Sequence, residues 1–298
     1  MRPIRTPRLT SRLRLTSRSR FPLAAVTAAA VLTACSGPPS QHSPAAYYLA
    51  LGDSLSQGVQ PNAAGVSVET SSGYPDQVYA TLYRTRPTLK LVKLGCPGET
   101  TSTMIHGGMC HYPGGSQLAA AVAFLHAHRG RVLLVTLDIG ANDPESCGGQ
   151  PGLTQLAKCA AVGIREAVVR LGTIMTELTA AAGPGVRIVG MNYYLPALAQ
   201  WRNGLPGHLV AWTAERLAAA YNQMLDRVYA NAGVRVADVF GAFDTTDFAS
   251  QGSLPLNVTK VCQWTWECAG PPRGPNQHAN QAGYQVIAHA FLQASGLS

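Results

Sequence analysis

The chain predicts an α/β domain, a parallel sheet with helices on both faces. Three observations carry that prediction. From Tyr47 onward, short apolar runs alternate with stretches of ten or more residues at helical spacing, the pattern of strand–helix–strand units. Val132 to Ile139 is a continuous apolar run, as expected for a strand covered on both faces. Small and polar clusters rich in Gly, Ser and Asn follow the first three runs, at the strand exits where open α/β sheets form their sites.

The elements follow in order. Strand one is 47–52 and breaks at Gly52. A helix at 75–83 presents Val78, Tyr79 and Leu82 at helical spacing. Strand two is 89–94, an Ala-rich helix spans 116–128 and stops at Gly130, and strand three is 132–139. A long helical stretch, 153–182, has Gly163 and Gly172 as candidate breaks and ends at Gly183-Pro184-Gly185, a strong stop. Strand four is 186–193, a helix runs over 208–232, strand five is 234–240, and a closing helix covers 281–294. Residues 241–280 show little period. With no internal repeat and no second compositional regime, residues 47–298 form one domain.

The formal charge of +8 suggests a polyanion partner until it is located. Residues 1–34 hold seven arginines and no acid, and setting those seven aside leaves 16 basic side chains against 15 acidic ones. The charge belongs to the leader, and a nucleic-acid partner is not expected. Residues 1–34 have the plan of an export signal: a basic region to Arg20, then the apolar Phe21 to Leu32, too short to span a bilayer as a mature helix. Leu32-Thr33-Ala34-Cys35 resembles the bacterial lipobox, and the resemblance implies cleavage before Cys35 and acylation of its thiol, a membrane anchor. Residues 35–46 are a Pro- and Ser-rich tether. The protein is expected to be exported, as an envelope lipoprotein on the outer side of the cytoplasmic membrane or in secreted form.

Six cysteines remain, Cys96, Cys110, Cys147, Cys159, Cys262 and Cys268, which allow 15 pairings. Pairing nearest neighbours (96–110, 147–159, 262–268) is the expectation, each pair bracketing a loop that contains Gly, Pro or Trp. No C-x-x-C pair is present, so neither zinc nor any other metal is expected.

The strand exits carry the chemistry. Gly52-Asp53-Ser54 puts a hydroxyl after strand one, though Asp-Ser is also ordinary helix-cap material. After strand two comes Gly95-Cys96-Pro97-Gly98-Glu99-Thr100, a tight turn whose N–H groups can face an anion. After strand three, Asn142 supplies an amide donor, and His278 stands just before the last helix. A nucleophile, a base and two oxyanion donors are the parts that acyl transfer needs.

Gly52-Asp53-Ser54-Leu55-Ser56, the Gly98 of Pro-Gly-Glu-Thr, Asn142 of Gly-Ala-Asn-Asp, and His278-Ala-Asn-x-x-Gly-Tyr resemble, in order, the four blocks of the GDSL/SGNH hydrolase family over essentially all of 47–298. That resemblance implies a flavodoxin-like α/β/α sandwich with a five-stranded parallel sheet in order 2-1-3-4-5, and hydrolysis of esters of lipid or glycan with no cofactor. It implies Ser54 as nucleophile, His278 as base, and an oxyanion hole of the Ser54 and Gly98 N–H groups with the Asn142 side chain. A monomer is expected. Two other readings use the same residues: an acyltransferase, and a non-catalytic lipid- or glycan-binding lipoprotein on a hydrolase fold.

One position departs from the family pattern. Where an Asp usually stands three residues before the His, this chain has Pro275. Three arrangements answer it: a backbone carbonyl of Pro275 or a neighbour orients the imidazole, Asp244 or Asp247 supplies a carboxylate, or nothing does and the enzyme is slow or inactive. Trp264 and Trp266, between Cys262 and Cys268, are expected to shape substrate preference, and Trp201 and Trp212 to sit in the core or a groove wall.

Overall fold

The computed structural model describes residues 46–145, 147 and 153–297. The expected export signal, Cys35 and the tether up to residue 45 lie outside the described residues.

Five parallel strands form one sheet: β1 (Tyr47–Gly52), β2 (Lys90–Lys93), β3 (Val132–Asp138), β4 (Arg187–Met191) and β5 (Arg235–Ala237). Their order is β2-β1-β3-β4-β5, the order the resemblance implied. The chain reverses its direction of winding at β1, so the crevice between the exits of β1 and β3 is the switch point where open sheets bind ligands. Leu49, Leu51, Leu134, Val135 and Leu137 of the two central strands are fully buried, which is why these runs are apolar without alternation.

Helices α1 (Tyr74–Tyr83), α2 (Thr101–His106), α3 (Gln117–Ala127), α4 (Asn142–Glu145) and α5 (Leu153–Ala182) lie between β1 and β4. Helices α6 (Gly204–Asn231), α7 (Val239–Ala242), α8 (Leu256–Trp264) and α9 (Gln281–Ser295) follow. α1 packs against α9, where Tyr74 stacks on Phe291 with ring centroids 4.4 Å apart, and α3 packs against α5.

The differences from the sequence-based expectation have local causes. α5 runs through Gly163 without a break, because that glycine is needed for contact rather than for a turn: a Cβ there would stand 2.8 Å from the Asp143 carbonyl of α4. The expected fifth strand ends early, since Asp238 accepts the Gly241 N–H at 2.9 Å and starts α7. α6 begins four residues earlier than expected, continuing from a 3-10 segment over Pro196–Asn203. Residues 241–280 contain α8, whose buried Val258 and Val261 make too short a stripe to register as a period.

Candidate active site

Ser54 follows β1 at a turn held from below. Gly52, at φ +132°, lets the strand end press on β3; a Cβ there would lie 2.0 Å from the Asp138 carbonyl. Asp138 Oδ2 accepts the N–H groups of Asp53 and Ser56, both at 3.2 Å, and its Oδ1 accepts the Tyr74 hydroxyl at 2.5 Å. Asp53 Oδ1 in turn accepts the Leu55 N–H at 3.0 Å. Asp53 and Asp138 are both buried and hydrogen-bonded to each other. Burial pushes both carboxyls above the usual range, Asp53 up to about 6, and the neighbouring Asp53 charge raises Asp138 further.

The turn after β2 is tied to the same point. Gln117, buried on α3, pairs with both the N–H and the carbonyl of Gly52, at 2.7 and 2.9 Å, and donates to Glu99 Oε2 at 3.0 Å. Asn142, at the start of α4, donates one amide hydrogen to the Glu99 carbonyl at 2.9 Å, which leaves its second hydrogen to the cavity it lines. Among the described residues, neither the Ser54 nor the Gly98 N–H donates to another protein group. Thr101 fastens α2 to α4 through Asp143, with its N–H at 2.9 Å and its hydroxyl at 2.5 Å from that carboxylate.

His278 arrives from the opposite end of the chain. Its Nε2 lies 3.0 Å from Ser54 Oγ and its Nδ1 2.8 Å from Asn276 Oδ1. The same Oδ1 also lies 3.0 Å from the His278 N–H, and Asn276 Nδ2 lies 3.0 Å from Ser67 Oγ. A backbone N–H can only donate, so the Asn276 atom facing it must be the oxygen. The Nδ1 facing that oxygen must then carry the proton, leaving Nε2 as the acceptor for the Ser54 hydroxyl. Burial lowers the imidazole from its ordinary value to about 4, so it is neutral at neutral pH.

The imidazole's partner is therefore a side-chain amide, and the expected orienters are corrected. It is not the carbonyl of Pro275 but the side chain of the next residue that meets Nδ1. Asp244 pairs with Lys260, and Asp247 Oδ1 accepts the Ala249 N–H at 2.7 Å, so neither reaches the ring. Asn276, Asp138, Tyr74 and Gln117 are contributors that sequence reasoning missed. The available signals were a carboxylate ending an otherwise apolar strand and an Asn two residues before the His.

All three expected disulfides are present, Cys96–Cys110, Cys147–Cys159 and Cys262–Cys268. They brace, in turn, the Gly98 turn, the α4 end of α5, and the loop leading to His278.

Beside Ser54 and His278 opens a cavity of about 310 Å³. It is walled mainly by apolar side chains, including Ile164 of α5, Leu217 and Tyr221 of α6, and Leu195, with Glu145 and Gln277 at its edge. Gln277 Nε2 donates to Glu145 Oε2 at 3.0 Å. Trp264 and Trp266 do not line it, contrary to expectation: Trp264 meets Phe243 edge-on at 5.0 Å and Trp266 donates to Gln60 at 3.3 Å. Nor do Trp201 and Trp212, which form an aromatic cluster with His208 and Phe248, Trp212 being exposed.

Residues 50–286 match the GDSL-like Lipase/Acylhydrolase family. No curated protein matches the sequence significantly. Three solved structures illustrate the shared fold. An extracellular lipase from Streptomyces rimosus is 18% identical, with a TM-score of 0.55 over 84% of this chain and 100% of its own. A phospholipase A1 from Streptomyces albidoflavus NA297 is 20% identical, with a TM-score of 0.55 over 84% and 99%. An acetylxylan esterase from Geobacillus stearothermophilus is 17% identical, with a TM-score of 0.55 over 85% and 95%. At these identities the likeness concerns the fold.

Proposed function

Because the chain belongs to the GDSL-like lipase/acylhydrolase family, we propose that it is a serine hydrolase of carboxylic esters with an apolar acyl group. The observation that carries this reading is the Asn276–His278–Ser54 chain, at 2.8 and 3.0 Å, with the tautomer that leaves Nε2 free to accept a proton. The Ser54 hydroxyl passes its proton to His278 Nε2 as Oγ bonds to the ester carbonyl carbon. The carbonyl electron pair moves onto oxygen, toward the Ser54 and Gly98 N–H groups and the second Asn142 hydrogen. Collapse breaks the bond to the alkoxy oxygen, which leaves with the proton from Nε2. Water then attacks the acyl-enzyme, its proton returning through His278, and releases the acid. An alcohol in place of water turns the same intermediate to acyl transfer.

The cavity supports an acyl chain over a bare acetyl or a sugar, since its walls offer apolar contact and few polar partners. The lipobox resemblance at Cys35 supports export and anchorage at a membrane. The test is hydrolysis of p-nitrophenyl esters from two to sixteen carbons by the full chain and by Ser54→Ala, with labelling by a fluorophosphonate. Loss of at least about a thousandfold in the variant is expected, together with loss of labelling. Labelling equal in both proteins would exclude Ser54, and no labelling of either would favour a binding role on a hydrolase fold.

A further inference from the structure

Among the described residues, five of the twelve exposed large hydrophobic side chains lie in the first half of α6. Leu205 is 81% exposed, Leu209 66% and Leu217 62%, with Val210 and Trp212 about half exposed. Leu205, Leu209 and Trp212 follow one another at helical spacing, and Val210 and Leu217 lie on the adjoining strip. Residues 203–214 contain no Asp, Glu, Lys or Arg, so the face is uncharged from Leu205 to Trp212, and Glu215 and the exposed Arg216 stand between it and Leu217. An uncharged apolar helix face of about two turns is costly in water unless something covers it.

The position of this face indicates what covers it. Leu217 belongs both to the exposed strip and to the wall of the cavity beside Ser54, and Ala214 also lines that cavity. Through Ala214 and Leu217, beside Arg216, the apolar surface on the outside of α6 adjoins the chamber that takes the acyl group. Across the site, Met109 is also exposed and lies against the oxyanion turn, since a Cβ on Gly98 would stand 3.4 Å from its Cε. Acyl groups long enough to use such a chamber gather in water as micelles, droplets and bilayers. A hydrolase that draws a chain from such an aggregate must bring the rim of its chamber against the aggregate's apolar layer.

We propose that the exposed apolar face of α6, from Leu205 to Leu217, is a docking surface for a lipid–water interface, from which an acyl chain passes over Leu217 into the cavity beside Ser54. The proposal rests on the ester-hydrolase reading for the cavity's use. The docking itself has a readout of its own. A helix lying in the interface with its apolar side down binds in proportion to the apolar area it buries, so polar substitution of the most exposed positions should release it.

The experiment compares the full chain with its Leu205→Ser/Leu209→Ser variant, both carrying the same N-terminus, on vesicles of phosphatidylcholine and on p-nitrophenyl butyrate below its solubility limit. Flotation with the vesicles, and a blue shift in tryptophan emission from Trp212 on their addition, are expected for the parent and reduced at least fivefold in the variant. Turnover of dissolved butyrate should be the same in both, which also shows that the variant is folded. Hydrolysis of the ester presented in vesicles should fall with vesicle binding. Equal flotation and equal blue shift would overturn the docking surface. So would a concentration-dependent dimer of the parent that the variant loses, because the occupant would then be a second copy of this chain. Failure of butyrate hydrolysis to depend on Ser54 would sink the hydrolase reading alone, since flotation needs no chemistry.

Discussion

Ser54 and His278, the proposed nucleophile and base, are held in opposite ways. Ser54 sits on a turn fastened from inside the sheet, where Asp138, Tyr74 and Gln117 are all buried and reach it from β3, α1 and α3. His278 sits on a partly buried loop held by fewer partners: Asn276 two residues before it, Ser67 from the far end of the chain behind Asn276, the Tyr194 hydroxyl on the Gln277 carbonyl, and the Trp266 N–H donating to the His278 carbonyl at 3.0 Å. The buried mount draws on the whole domain, so its disruption should cost stability first. The loop mount draws on a few contacts, so its disruption should cost turnover first. Rigidity at Ser54 comes from long-range packing, whereas alignment of the His278 ring rests on one amide oxygen.

The largest expected effect falls on that amide. Asn276→Ala removes the acceptor that holds the tautomer and should lower kcat on the order of 10³-fold with little change in melting temperature. Asn276→Asp sharpens the point. A carboxylate in the same place favours the charged imidazole, so the acid limb of the kcat/KM profile should move up from about pH 4 toward the ordinary histidine range. An acid limb unmoved by Asn276→Asp would show that Asn276 does not face the ring in solution.

Next in size is the buried pair. The folded state holds its proton to higher pH than the unfolded carboxyls, which release theirs at about pH 4, so the pair's contribution to stability is full in acid and is lost as pH rises through the raised values. For one proton the slope approaches about 1.4 kcal/mol per pH unit. Asp138→Asn removes the ionisation, and urea unfolding from pH 4 to 8 should show a flatter dependence than in the parent. A slope as steep in the variant would place the proton elsewhere. The smallest effect is expected at the surface staple. Cys262→Ser/Cys268→Ser opens a loop with a sequence separation of 6 and should cost about 2 kcal/mol of stability. A larger loss of activity than of stability would mean that the staple aligns His278 as well.

The same contrast explains what was legible. Elements built on a long apolar period were read with small errors at their ends: β1 at 47–52, α5 at 153–182 and the closing helix at 281 all begin where expected. Ser54, Gly98, Asn142 and His278 stood out because each lies in a short block of distinctive order. The supports did not stand out. Asp138 is one acid at the end of an apolar run, and Gln117 is one polar residue at the start of an Ala-rich helix. Their partners lie 85 and 65 positions away in the chain. α8 and the route of 241–280 depend on packing against neighbours that no local period announces.

The sequence by itself determined the fold class, the strand order through its family blocks, and the four residues gathered at the strand exits. Those follow from periodicity, from Gly and Pro punctuation, and from motif order, all of which are local along the chain. Only the tertiary structure decided what orients His278, that Asp53 and Asp138 share a buried site, and that the tryptophans stand away from the cavity. Those depend on which distant side chains meet. Such meetings are set by the packing of a whole domain and leave no trace in the spacing of any one segment.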